Sequence, residues 1–281
     1  MAKDIDWGNL PFGYMETSKS FVANWKDGAW DEGTLTSDHT ITMSECACVL
    51  QYAQTCFEGL KAYTTSDGKV VTFRPDLNAD RMADSCTRLE MPVFPKEKFI
   101  QAVIDVVKAN LDYVPPYGSG ATLYIRPFMF GSNAVIGVKP ATEFQFRILV
   151  TPVGPYFKGG VKPIKVRISD RDRAAPHGTG DIKAGLNYAM SLYNIVDAHN
   201  CGYAENTRQS ESVLGKDKDV RRGTGSGNVW EQIDLQFRLV QQGHRGDTSQ
   251  TELPGPDRSE AFGAECRKGE QQGLGTGHGL A

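Results

Sequence analysis

The sequence predicts an α+β fold on three observations. An Asp27-Gly28 turn separates two apolar runs near the N-terminus, apolar residues recur at helical spacing through 99–111, and two long segments, 121–130 and 143–153, have strand character. Asp-Gly is a strong hairpin signal because both positions of a tight turn need positive φ, which Gly adopts freely and Asp tolerates. Phe21-Val-Ala-Asn-Trp25 and Ala29-Trp30 are therefore expected to be the two arms of a hairpin that starts a small antiparallel sheet. Lys69-Val-Val-Thr-Phe73 reads as a further strand, and Asp76 to Met91 as a helix with Asp and Asn near its start as caps. Phe99, Ile100, Val103, Val106, Val107 and Leu111 then mark an amphipathic helix laid over the sheet. Ala121 to Phe130 and Glu143 to Val153 return to strand.

Gly154-Pro-Tyr-Phe-Lys-Gly-Gly160 combines turn residues with an aromatic pair, the composition of an ordered connection between domains. Residues 1–153 are expected to form a small α/β domain, 154–161 the connection, and 162–206 the start of a second domain. In that second part Lys162 to Ser169 reads as a strand. Ala189, Leu192, Ile195, Val196 and Ala198 mark a helix ending near Asn200-Cys201-Gly202. From Thr207 the grammar changes: 13 of the last 75 residues are Gly and 18 are hydrophobic, or 24% against 40% for the whole chain. Gly223–Gly227 and Gly273–Gly279 lack the preceding strand and following Lys-Ser/Thr of a phosphate loop. Residues 207–281 are expected to be largely disordered, because so little apolar area cannot offset the entropy of ordering, and to derive from a shifted reading frame, a gene-model error or a truncating event.

A net charge of -3 with interspersed signs gives no basic stripe for nucleic acid and no polybasic patch for a membrane surface. The N-terminus lacks an apolar leader core, and no run of eighteen apolar residues occurs, so a cytoplasmic protein acting on small molecules is expected. Six irregularly spaced cysteines, with Cys46-Ala-Cys48 one residue too tight for a zinc pair, point to reduced thiols and no metal.

The most informative segment is Gly178-Thr-Gly-Asp-Ile-Lys183-Ala-Gly-Leu-Asn-Tyr188. It places one lysine in a glycine-bounded loop opening onto a helix. A lysine aimed by such a turn into a pocket is a candidate Schiff-base nucleophile.

This segment resembles the lysine loop of the branched-chain amino acid aminotransferases, which are fold-type-IV pyridoxal-phosphate (PLP) enzymes. The resemblance extends through Leu10-Pro-Phe12-Gly, Tyr52-Ala-Gln-Thr-Cys-Phe57-Glu-Gly-Leu-Lys-Ala-Tyr63, Phe73 to Met82, Leu123-Tyr-Ile-Arg126-Pro, Thr151 to Phe157 and Gly202-Tyr-Ala-Glu-Asn206, and stops there. It implies a small α/β domain followed by an incomplete barrel-like large domain. Lys183 would hold PLP and move the substrate proton, Arg81 would bind the cofactor phosphate, and Tyr188 would hydrogen-bond its phenolic oxygen. Phe12, Tyr52, Phe57, Tyr124, Arg126, Ile136, Val138 and Tyr156 would line the substrate pocket. Of these, Tyr52, Ile136 and Val138 would reach the site of the other subunit of a homodimer. The implied activity is ping-pong transfer of an amino group between leucine, isoleucine or valine and 2-oxoglutarate. D-amino acid transaminases and aminodeoxychorismate lyases share the fold but match the wording of these motifs less well. The family's glutamate for the pyridine nitrogen and its later phosphate ligands have no counterpart after Asn206, which leaves a catalytically dead fragment as the alternative.

Overall fold

The computed structural model describes residues 5–155, 163–169, 171–172, 174–175 and 177–208. It is α+β, as expected. Residues group into two compact units, Met1–Lys165 with Arg171–Val196, and Val166–Asp170 with Asp197–Ala281. Among the described residues no helix is long and apolar enough to cross a membrane. The expectations for Tyr156 and for residues 209–281, including Cys266, lie outside the described residues.

The first unit is built on an eight-stranded antiparallel sheet. Its strands are β1 (Ser20–Lys26), β2 (Ala29–Trp30), β3 (Thr34–Thr36), β4 (Thr55–Phe57), β5 (Leu60–Thr64), β6 (Val70–Thr72), β7 (Thr122–Gly131) and β8 (Phe144–Val153). The order across the sheet is β2-β1-β8-β7-β5-β6, with β3 on β1 and β4 on β7. The Asp27-Gly28 turn has φ of 52° and 80°, so both central residues are left-handed, and Trp25 pairs with Trp30 across the hairpin.

Period-two alternation gives the sheet two unlike faces. In β7, Leu123, Ile125 and Met129 are buried, while Tyr124, Arg126 and Phe128 on the opposite face are half-exposed. Helices α2 (Pro75–Arg88) and α3 (Lys96–Lys108) pack on each other, α2 against β4 and α3 against β8 and β1. From α3, Phe99, Ala102, Val103, Val106 and Val107 enter the core, which is the stripe read from periodicity. Phe146 lies at the centre, stacked on Phe94 at 4.2 Å and edge-on to Phe21 at 6.2 Å. Burying each of these large side chains contributes about 1.5–3 kcal/mol.

Two helix ends differ from expectation. The helix predicted to run to Leu111 stops at Lys108, and Leu111–Tyr113 form a separate 3-10 turn. The cause is Asn110, whose buried amide donates to Val106 O at 2.7 Å and to Lys19 O at 2.9 Å, ending the helix and tying it to the start of β1. At the other end of the helical pair, α2 has no side-chain cap from Asp or Asn. Arg74 occupies the N-cap at φ 44° and Pro75 the first turn, where its missing N–H costs nothing. Asp76 instead takes a bidentate ion pair from Arg74, which holds its carboxyl at about 2, below the ordinary 3.8. A carboxyl lowered in this way contributes stability above its unfolded value and loses it as pH falls through the folded one. Asp76→Asn is therefore expected to lower the melting temperature slightly at pH 7, and the difference from wild type to shrink between about pH 4 and pH 2. A difference that persists unchanged at pH 2 would contradict this.

Two further helices complete the described chain, α1 (Cys48–Tyr52) and α4 (Gly185–Asn200). The second unit holds β9 (Val166–Ser169) paired in parallel with β10 (Glu205–Arg208). Cys46, Cys48, Cys56 and Cys86 are free thiols.

Candidate active site

The loop before α4 pins the backbone of Lys183 on two sides. Its N–H donates to Ser85 Oγ of α2 at 3.1 Å, and its C=O accepts from Phe57 N–H of β4 at 3.0 Å. A bridge between Cys56 and Ala184 continues this attachment to β4. The turn itself is held by Asn187, whose amide donates to Thr179 O at 2.6 Å and Ile182 O at 3.0 Å while its oxygen accepts from Thr179 Oγ1 at 2.8 Å. Ile182 and Ala184 are buried on either side of Lys183, so alternation turns the Lys183 side chain outward from the core.

There its Nζ donates to Tyr188 Oη at 2.7 Å and lies 4.7 Å from the centroid of the Phe57 ring. Tyr188, in the first turn of α4, packs its ring 5.0 Å from Phe57. Lys183, Tyr188 and Phe57 thus form one group on the half-exposed face. An amine fixed at its backbone, with a phenol in hydrogen-bond reach, is arranged to react with a carbonyl brought onto the Phe57 ring.

Arg81 is one turn of α2 before Ser85, and its guanidinium is held by a carboxylate. Nε donates to Glu58 Oε1 at 2.6 Å and Nη2 to Glu58 Oε2 at 2.7 Å. Glu58 is fully buried and also accepts from Asn78 Nδ2 at 2.8 Å and Gly59 N–H at 3.2 Å. The hydrogen bonds that Arg81 donates to Glu58, together with the carboxylate's charge, raise the guanidinium above its ordinary value. About half of the Arg81 side chain remains open to solvent, so a charged group is presented beside Lys183 with its orientation fixed from behind.

Tyr124 and Arg126 project from the same face of β7. Tyr124 Oη accepts from Arg126 Nε at 2.9 Å and from Nη2 at 2.7 Å. The guanidinium carbon of Arg126 lies 4.5 Å over Phe57, and Phe12 packs edge-on to Tyr124 at 5.7 Å. Phe57 therefore joins the two clusters: Lys183 on one side, Arg126 on the other.

Of the residues singled out by sequence, the structure brings together Lys183, Tyr188, Arg81, Phe57, Tyr124, Arg126 and Phe12. Tyr52, Ile136 and Val138 stand apart. The Tyr52 hydroxyl donates to Ile136 O, joining α1 to the 133–138 loop, while Ile136 and Val138 are 71% and 90% exposed. Among the described residues no bond links these three to Lys183. Two clefts of about 330 and 300 Å³ open where Arg147 meets Asp38, Ile41 and Leu149. Neither is lined by Lys183, Arg81 or Tyr188, so the reactive groups lie outside these two clefts.

Sequence reasoning missed Glu58, Asn78, Ser85 and Asn187, all of which hold a functional group in place. Glu58 carries a local signal: at the β4–β5 junction it falls on the buried side of the alternation, between Phe57 and Leu60, where a carboxylate requires a partner. Lys61, opposite Tyr124 in β5, is a further residue that the motifs do not single out. Burial pushes its amine below the ordinary value.

No protein-family model matches the chain. It is 55% identical over 190 residues to a branched-chain-amino-acid aminotransferase of Haemophilus influenzae, covering 68% of this chain and 55% of that protein. It is 47% identical over 203 residues to one of Helicobacter pylori, covering 72% and 60%. Among solved structures, the branched-chain amino acid aminotransferase of Escherichia coli is similar at TM-score 0.53 and 26% identity, over 66% of this chain and 58% of that one. The enzyme of Thermoproteus uzoniensis is similar in fold at TM-score 0.57 and 22% identity, over 70% and 61%. The chain thus spans between about half and three-fifths of the length of the proteins it matches.

Proposed function

We propose that this chain belongs, over the roughly 70% that its bacterial relatives match, to the branched-chain amino acid aminotransferase family of fold type IV, and that it carries the lysine-bearing part of a PLP-dependent amino-transfer site. Lys183 Nζ, held 2.7 Å from Tyr188 Oη against the Phe57 ring, carries this reading. Support for the cofactor comes from fit. An amine for the aldehyde, a phenol for the ring oxygen and a fixed guanidinium for the phosphate lie on one face. Of the solved structures similar in fold, one branched-chain aminotransferase holds pyridoxamine 5'-phosphate, and that of Thermobaculum terrenum holds PLP.

PLP supplies an electron sink for the electron pair left when a substrate Cα loses its proton. Lys183 Nζ would take that proton and return it to C4′ of the cofactor, a 1,3-transfer across the intervening nitrogen that its pinned backbone favours. Tyr188 Oη would hold the cofactor oxygen and Lys183 Nζ in one hydrogen-bonded line. Arg81, the only one of these groups with a guanidinium braced by a carboxylate from behind, would bind the phosphate. Arg126, kept in place by Tyr124, would bind a substrate carboxylate, while Phe57 and Phe12 would exclude water around a branched aliphatic side chain. Tyr52, Ile136 and Val138, which among the described residues have no bond to Lys183, would complete the site of a second copy in a homodimer. Leucine, isoleucine or valine and 2-oxoglutarate are the proposed substrates, and the cytoplasm the proposed location.

The test is uptake of PLP by the full chain. A protonated-imine absorbance band and a borohydride-fixed adduct mapped to Lys183 are expected. An adduct spread over several surface lysines would overturn the assignment.

A second expectation concerns Gly59. A methyl group there would stand 2.5 Å from Tyr124 Oη, so Gly59→Ala must displace the ring that receives both Arg126 hydrogen bonds. If Arg126 binds the substrate carboxylate, KM for leucine rises by about tenfold, the worth of one oriented charge-assisted bond, with little change in kcat. An unchanged KM would separate Tyr124 from substrate binding.

A further inference from the structure

Glu58 itself would touch neither the cofactor nor the substrate, yet among the described residues it is a carboxylate with every oxygen engaged. It is 0% exposed and accepts four hydrogen bonds, two from Arg81 and one each from Asn78 and Gly59. A buried carboxylate costs several kcal/mol in desolvation and seldom repays that cost as stability alone. Its position shows what the cost accomplishes. The junction of β4 and β5 places Phe57, against Lys183, on one side of the backbone and Glu58 on the other, facing α2. Glu58 takes the Nε–Nη2 edge of Arg81, and among the described residues no hydrogen bond reaches Nη1. Ser85, one turn further along α2, donates to Arg81 O and accepts from Lys183 N–H. One carboxylate therefore sets the direction of the guanidinium from the same short segment of chain that bounds the lysine.

We propose that Glu58 is a positioning residue of the cofactor site: it orients Arg81 so that the guanidinium's remaining edge recognises a phosphate monoester held next to Lys183. This rests on the PLP reading above. An arginine with nearly half its side chain in water loses rotamer freedom when it binds an anion, and a bidentate carboxylate behind it removes that loss in advance. Charge alone predicts the opposite sign. A buried anion beside Arg81 opposes a dianionic phosphate, so neutralising Glu58 would strengthen phosphate binding if orientation were unimportant. The two effects are thus separable by experiment.

The measurement compares the apparent Kd of the full chain for PLP with that for pyridoxal, which has the aldehyde but no phosphate. Both are read from the imine absorbance at Lys183. Wild type is expected to prefer PLP. Glu58→Gln keeps the volume of the side chain but accepts only one of the two Arg81 bonds, and is expected to weaken PLP about tenfold while leaving pyridoxal within twofold. Asn78→Ala removes one donor from the same carboxylate, and is expected to reduce the PLP preference about threefold while leaving pyridoxal binding within twofold. Equal losses for PLP and pyridoxal in Glu58→Gln, or tighter PLP binding, would overturn the proposal. If Glu58→Gln does not fold, Asn78→Ala decides, and an unchanged preference overturns it. A wild type that forms an imine with PLP no better than with pyridoxal overturns the phosphate role of Arg81 with it. A wild type that forms no imine at Lys183 overturns the parent reading as well.

Discussion

Lys183→Ala is expected to abolish the borohydride-fixable adduct and to lower amino transfer by roughly 10⁴-fold or more, the scale seen when a covalent nucleophile and proton carrier is removed. Lys183 combines two tasks in one atom, so no neighbour replaces it. Tyr188 Oη, at 2.7 Å, has no amine, and Lys61 sits in β5 opposite Tyr124, with no described bond to Tyr188. The fold should survive. The loop is held by the backbone of residue 183 through Ser85 and Phe57 and by the side chain of Asn187, none of which requires an amine at position 183. A variant with wild-type melting and no adduct is the predicted result. Transfer within tenfold of wild type, or an adduct relocated to Lys61, would remove Lys183 from the chemistry.

Phe146→Ala is the substitution expected to cost most in stability, about 3–5 kcal/mol. The ring is fully buried and touches Phe94, Phe21 and Phe99, so deleting it opens a cavity where strands β1 and β8 meet α3. Three rigid aromatic neighbours cannot collapse into that space as smaller aliphatic side chains would. Denaturant titration should show a lower midpoint with an unchanged slope. A loss below about 1 kcal/mol would mean that the cluster repacks, and that β8 is held by its hydrogen bonds more than by its side chains.

What is legible in the sequence and what is not divide by the range of the interactions. The Asp27-Gly28 hairpin is legible because positive φ at two adjacent positions is a local demand. The buried stripe of α3 is legible because a single period encodes it. The end of that helix is not, because Asn110 stops it by reaching back to Lys19 across 91 residues. Likewise the start of α2 departs from the usual capping pattern: Asp76 is taken by Arg74, and Pro75 starts the helix. In the site, Lys183, Arg81 and Tyr188 are found by resemblance, and the structure places them together. Glu58 sits inside one of the same motifs without an assigned role. Alternation hints that it turns inward, but its role lies in Arg81 and Asn78 of another element, and three- and five-residue strands do not say which element will meet it. The Tyr52 hydroxyl meets Ile136 O of the 133–138 loop, a pairing across 84 residues that a run of motifs does not show.

The sheet order has a consequence for how the chain is made. Strand β1 is synthesised first, yet its long partner is β8, and the Gln145–Asn24 hydrogen bond between them joins residues 121 apart. At about 5–20 residues per second a ribosome needs on the order of 6–24 s to cover that distance. During that interval β1 has only the two-residue β2 and three-residue β3 beside it, too little to hold a sheet in water. Strands β7 and β8 are the first to find a full-length neighbour, pairing over ten residues as soon as both emerge. The earliest strand to leave the ribosome is therefore among the last to be locked in, and Phe21, Trp25 and Trp30 must stay wet, or in the care of a chaperone, until β8 arrives.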